Sequence, residues 1–83
     1  MELLNKFEAF LKQVKVIAPE IETGEITEDG YLFPFAVMVG DNMIECDPSG
    51  SFRVQLYAGN NTYMKSKTDL TPAEVATILN AFE

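Results

Sequence analysis

Cys46 stands in Met43-Ile44-Glu45-Cys46-Asp47, with a carboxylate on either side. A thiol attacks as its thiolate, and a thiolate needs exposure and nearby positive charge. Glu45 and Asp47 supply the opposite field, and the chain has no histidine to serve as base. Cys46 is therefore expected to be a small buried apolar residue of a strand. Two carboxylate pairs, Glu45 with Asp47 and Glu20 with Glu22, have the two-residue spacing that puts both groups on one face of a strand. Such pairs do acid–base work when a cleft raises one pKa. A chain of 83 residues has little room for a cleft of that size. A solvated acidic face is the expected reading.

Metal chemistry fares no better. Asp41, Asn42, Glu45 and Asp47 are the residue types of a calcium loop, but the alternate spacing, mid-loop glycine and closing glutamate are missing. One cysteine and no histidine leave no ligand set for zinc or a transition metal. The five glycines are scattered at 24, 30, 40, 50 and 59, so no phosphate-cradling loop is present. The expectation is a protein with no catalytic residues, no metal and no cofactor.

Charge is the most pronounced pattern. Between Val16 and Phe52 there is no Lys, Arg or His. That stretch holds Glu20, Glu22, Glu25, Glu28, Asp29, Asp41, Glu45 and Asp47, while the flanks are close to neutral and the total is −7. A regional acidic surface repels phosphate and attracts basic partners; it also keeps a small apolar-rich chain soluble. Arg53, Lys65 and Lys67, with Tyr57 and Tyr63 interleaved, could make a small stacking platform for single-stranded nucleic acid. With the net charge so negative, cross-strand packing is the better account of that cluster.

The elements that must position these groups are legible from periodicity. Leu3, Leu4, Phe7, Phe10, Leu11, Val14 and Ile17 recur at steps of three and four, which predicts an amphipathic helix. Pro19 ends it at Ala18. Its lysines and two phenylalanines could suit a membrane surface, but packing on a sheet explains the stripe better. Near the far end, Thr71 is placed as N-cap, Pro72 as first helical residue and Glu74 as partner in a capping box, with Leu70 and Val75 as a staple. That second helix presents Val75, Ile78, Leu79 and Phe82.

Between the helices, turn sequences at 28–30, 40–42, 47–50 and 58–61 separate β-prone runs near 20–27, 31–39, 42–47, 51–58 and 62–67. The expected fold is one α+β domain over residues 1–83: helix, antiparallel meander of four or five strands, helix, with both helices on one face of the sheet. The run Tyr31–Val39 is apolar on both faces, with Tyr31, Phe33, Phe35, Val37 and Val39 on one side and Leu32, Ala36 and Met38 on the other. Pro34 marks an edge or a bulge within it. In such a meander the turns holding Glu28, Asp29 and Asp47 share one end of the sheet, and Asp41 falls at the other.

In size and charge the chain resembles the small acidic inhibitor proteins of phages and mobile elements, including DNA mimics that block restriction, repair or CRISPR machinery. Its helix–meander–helix order is similar to part of the acidic type III secretion chaperones, which are longer and carry a helix within the strand run. The leading expectation, from the regional charge, is a non-enzymatic module whose acidic 20–47 region binds a basic protein surface through Glu22, Glu25, Glu28, Asp29, Asp41, Glu45 and Asp47, and the resemblance to the inhibitors implies an inhibitory role. The alternative expectation is a homodimeric adaptor or chaperone-like protein that self-associates through Leu32, Met38 and Tyr57 on the open sheet face. Neither reading involves direct nucleic-acid or membrane contact. A lone cysteine and a charge-punctured start without an apolar leader suggest a cytoplasmic protein.

Overall fold

The computed structural model describes residues 2–28, 34–66 and 68–81. Helix α1 runs over Glu2–Ile17. Strands β1 (Thr27–Glu28), β2 (Phe35–Val39), β3 (Asn42–Cys46), β4 (Phe52–Gly59) and β5 (Thr62–Lys65) follow, and helix α2 (Pro72–Ala81) completes the order. The five strands form one antiparallel sheet in sequence order. This is the expected α+β meander with two helices.

Directly paired residues of antiparallel strands share a face, so the registers sort the side chains. Phe35 pairs with Cys46 and Cys46 with Phe52; Val37 pairs with Ile44 and Ile44 with Val54. These residues form one buried cluster with Phe7, Phe10, Leu11 and Val14 of α1 and with Val75, Ala76 and Leu79 of α2. Both helices therefore cover the same face. Phe52 is the anchor of that contact: the Phe10 ring stacks on it at 3.8 Å between centroids and Phe7 at 5.9 Å. On the other face, Ala36, Glu45 and Arg53 form one row, and Met38, Met43, Gln55 and Lys65 another.

The helix boundaries follow the sequence signals. Glu74 N–H donates to Thr71 Oγ1 (3.2 Å) and Thr71 N–H to Glu74 Oε1 (3.0 Å), a reciprocal box that satisfies two otherwise orphaned donors. Leu70 and Val75 are both buried beside it. After α1 the chain reverses at Ala18–Ile21, where Ile21 N–H donates to the Ala18 carbonyl (3.0 Å). That turn corrects two expectations. Ala18 and Ile21 close the core, while Ile17 is half exposed rather than part of the buried stripe. Residues 20–26 are also not a strand. The segment touches the β2 edge through Gly24 N–H to the Met38 carbonyl (2.9 Å), and only Thr27 and Glu28 pair with β2. Pro19 lacks a donor, and a glycine weakens a strand, so regular pairing does not extend through it.

The turn between β3 and β4 is built by Asp47. Its Oδ1 accepts from Ser49 N–H (2.9 Å), Ser49 O–H (2.6 Å) and Ser51 N–H (3.0 Å). Gly50 sits at φ 89°, with Lys6 of α1 packed so closely that a Cβ there would lie 2.7 Å from Nζ. The positive φ is what demands glycine here, since the flexible Lys6 side chain could shift aside. The β4–β5 turn places Asn60 (φ 53°) and Asn61 (φ 60°) consecutively in the left-handed region, the pattern of a type I′ hairpin turn. Tyr31, Phe33 and Phe82 lie outside the described residues.

Candidate functional site

Six of the seven acidic residues named from sequence fall within the described residues; Asp29 does not. The structure separates the six into four environments. Glu22, Glu25 and Glu28 are exposed on the segment that leads into and forms β1, the first edge of the sheet. Glu20 precedes them, also exposed, at the turn after α1. The four carboxylates thus follow one another along the exposed segment between the end of α1 and β1. Asp41 is exposed in the β2–β3 turn at the opposite end of the sheet from Glu28 and Asp47. The ends of the sheet are thus as the meander requires.

Asp47 is a turn-former first. The Ser49 hydroxyl, followed by the backbone donors of Ser49, Gly50 and Ser51, holds its carboxyl below the usual carboxylate range. One of its oxygens is already committed to three donors.

Glu45 differs from all the others. It is 2% exposed although it sits on the face that no helix covers. Arg53, its direct cross-strand partner, donates from Nε to Glu45 Oε1 (2.8 Å), and the Gln55 side-chain amide donates to the same oxygen. Among the described residues this is the one ion pair. Glu45 does not belong to the exposed acidic surface on which the sequence placed it. A carboxylate this buried is tolerated because a guanidinium and an amide satisfy it. The signal for it was present: a turn at 47–51 forces residue 45 opposite residue 53, and those two residues have opposite charge.

The thiol of Cys46 is fully buried on the helix-covered face. Burial, then the neighbouring Asp47, push its pKa up, while Lys6 acts in the opposite direction. That environment disfavours a thiolate. No group of three or more candidate metal ligands comes together among the described residues.

The open face carries the second candidate surface. Met38 and Tyr57 are each about two-fifths exposed there (43% and 41%). Leu32, named with them from sequence, lies outside the described residues. Tyr57 meets Tyr63 edge to face at 5.4 Å, which accounts for that aromatic pair as cross-strand packing. Arg53 is committed to Glu45 rather than to a basic patch with Lys65. Met43 pairs with Met38 in the row that continues to Gln55, Tyr57 lies one row further along β4, and the Glu45–Arg53 pair lies one row to the other side. No described helix is long and apolar enough to cross a membrane. Comparison with protein-family models, with curated proteins and with solved structures finds no match.

Proposed function

We propose that this chain is a small non-enzymatic protein-binding module that docks on a basic protein surface through its acidic β1 edge. The observation that supports the reading is the row Glu20, Glu22, Glu25 and Glu28. All four are exposed, none is ion-paired among the described residues, and no cation interrupts the chain from Val16 to Phe52. A run of exposed negative charge at the sheet edge complements a surface built to hold the phosphates of a nucleic acid. The module acts as an inhibitor by occupying such a surface. Asp41 extends the acidic region at the far end of β2; Asp47 contributes charge but keeps its turn bonds.

The test is capture of partners on the immobilised chain at low and high salt, identified by mass spectrometry. The expected partner is a basic nucleic-acid-binding protein whose retention falls steeply as salt rises. Triple replacement Glu22→Gln, Glu25→Gln and Glu28→Gln is expected to abolish that retention while leaving the circular-dichroism spectrum unchanged. A partner held equally well at both salt concentrations, or by the triple variant, would refute the acidic docking reading. The second reading, a homodimeric adaptor that uses the open face, is supported by Met38 and Tyr57 standing exposed on the same side of the sheet.

A further inference from the structure

The C-terminal end of α1 carries a feature that neither reading uses. Val16 is 82% exposed and Ile17 52%, and with Lys12 and Gln13 they line a shallow, largely apolar groove. Residues 12 and 16, and 13 and 17, are neighbours along the helix surface, so the groove lies between two ridges of α1. Single exposed apolar residues are ordinary, but two adjacent β-branched ones in a last helical turn serve neither helix propensity nor the core. The core is closed at this point by Ala18 and Ile21.

The charges around the pair are ordered. Lys12 and Lys15 precede it and Glu20 and Glu22 follow it, all four exposed and none in an ion pair among the described residues. The Ala18–Ile21 turn keeps Glu20 beside the helix end. The patch therefore reads positive, apolar, negative along one direction. A two-fold axis reverses that direction, so a second copy laid on the first sets its carboxylates against these lysines and its lysines against these carboxylates, with apolar side chains at the centre. That is the self-complementarity an isologous contact needs.

We infer that two copies of this chain associate through Val16 and Ile17, with Lys12 and Lys15 of each facing Glu20 and Glu22 of the other. The contact is small, so the dimer is weak and in exchange with monomer. The inference shares Glu20 and Glu22 with the acidic docking reading but rests on Val16, Ile17, Lys12 and Lys15, which that reading does not use, so the two can fail separately.

Sedimentation equilibrium of the full chain, up to about 1 mM, tests it. A monomer–dimer equilibrium is expected. Val16→Ser with Ile17→Ser weakens it at least about tenfold, because both apolar groups leave the centre. The melting curve stays near that of the parent chain, since both positions are exposed. Lys12→Glu with Lys15→Glu, and separately Glu20→Lys with Glu22→Lys, each weaken self-association by about tenfold through like-charge contacts. An equimolar mixture of the two charge-reversed chains restores association as a heterodimer. A wild-type monomer throughout the range would overturn the inference. So would a dimer insensitive to Val16→Ser/Ile17→Ser, a mixture that fails to recover, or a dimer lost instead on Met38→Ser with Tyr57→Ser.

Discussion

The two faces of the sheet are built from alternate residues of the same strands and are held together by different physics. On the helix-covered face, Phe35, Val37, Ile44, Phe52 and Val54 form one cluster with apolar side chains of α1 and α2, with the Lys6 ammonium at its margin over the Phe52 ring. On the open face, the most buried side chain is a carboxylate, closed over by Arg53 and Gln55. The first face gains from removing hydrocarbon from water and from close packing. The second has one region with core-like burial, and it exists because a charge pair and an amide satisfy each other there. Helix cover is thus not the only route to burial in a domain this small; a cross-strand pair can shield itself.

The largest expected effect lies on the covered face. Phe7 is fully buried and stacks on Phe52, with Val14 two turns further along the same face of α1. Phe7→Ala removes that ring and leaves a cavity that the surrounding strands cannot fill, at a cost of about 3–5 kcal/mol. Against a stability of roughly 5–15 kcal/mol for a single domain, that is a large fraction. Urea unfolding followed by circular dichroism should show a much lower midpoint with an unchanged slope. A midpoint near the wild-type value would mean that α1 does not hold this face.

The next effect belongs to the open face. Glu45→Ala strips the acceptor from the Arg53 Nε and from the Gln55 amide. The expected loss is about 2–3 kcal/mol, below the Phe7 variant because Arg53, with its side chain 13% exposed, can still turn toward water. Glu45→Met with Arg53→Met should recover much of it, since replacing both ionic partners leaves no buried charge unpaired and only the Gln55 amide without its acceptor. If Glu45→Ala alone fell within about 0.5 kcal/mol of wild type, the pair would be no better than a surface ion pair.

What the chain reveals of this arrangement depends on how local the determinant is. The second helix is specified within five residues: Thr71, Pro72 and Glu74 set the cap, and Leu70 with Val75 fixes the entry angle. Strands β2 to β5 are likewise declared by turn residues and by alternation. Residues 20–26 mislead because Ile21, Thr23 and Ile26 are β-prone residue types, whereas pairing of an edge segment rests on backbone partners that no side chain encodes. Glu45 misleads for a related reason. An acid between Ile44 and Cys46 looks solvent-facing until the hairpin register brings Arg53 across from it. The acidic edge is readable as charge, while the exposure of its members and the commitment of Asp47 to its turn emerge only from the fold. The half-exposure of Ile17 has the same origin: the Ala18–Ile21 reversal, not the helical period, decides where the core stops.

The smallest effect sharpens the comparison most, because it uses two neighbours on one strand. Val37 is 1% exposed and faces the helices, whereas Met38, the next residue, is 43% exposed and faces outward. Val37→Ala removes two methyl groups from a close-packed site and should cost about 1–3 kcal/mol. Met38→Ala should change stability by no more than about 0.5 kcal/mol, the range of ordinary surface substitutions. The same pair of variants also separates stability from association. If Met38 served a partner or a second copy, its truncation would alter binding or sedimentation at unchanged unfolding midpoint, and Val37→Ala would do the reverse. Equal destabilisation by the two would show instead that the outward face is covered in solution, and the contrast between the faces would be lost.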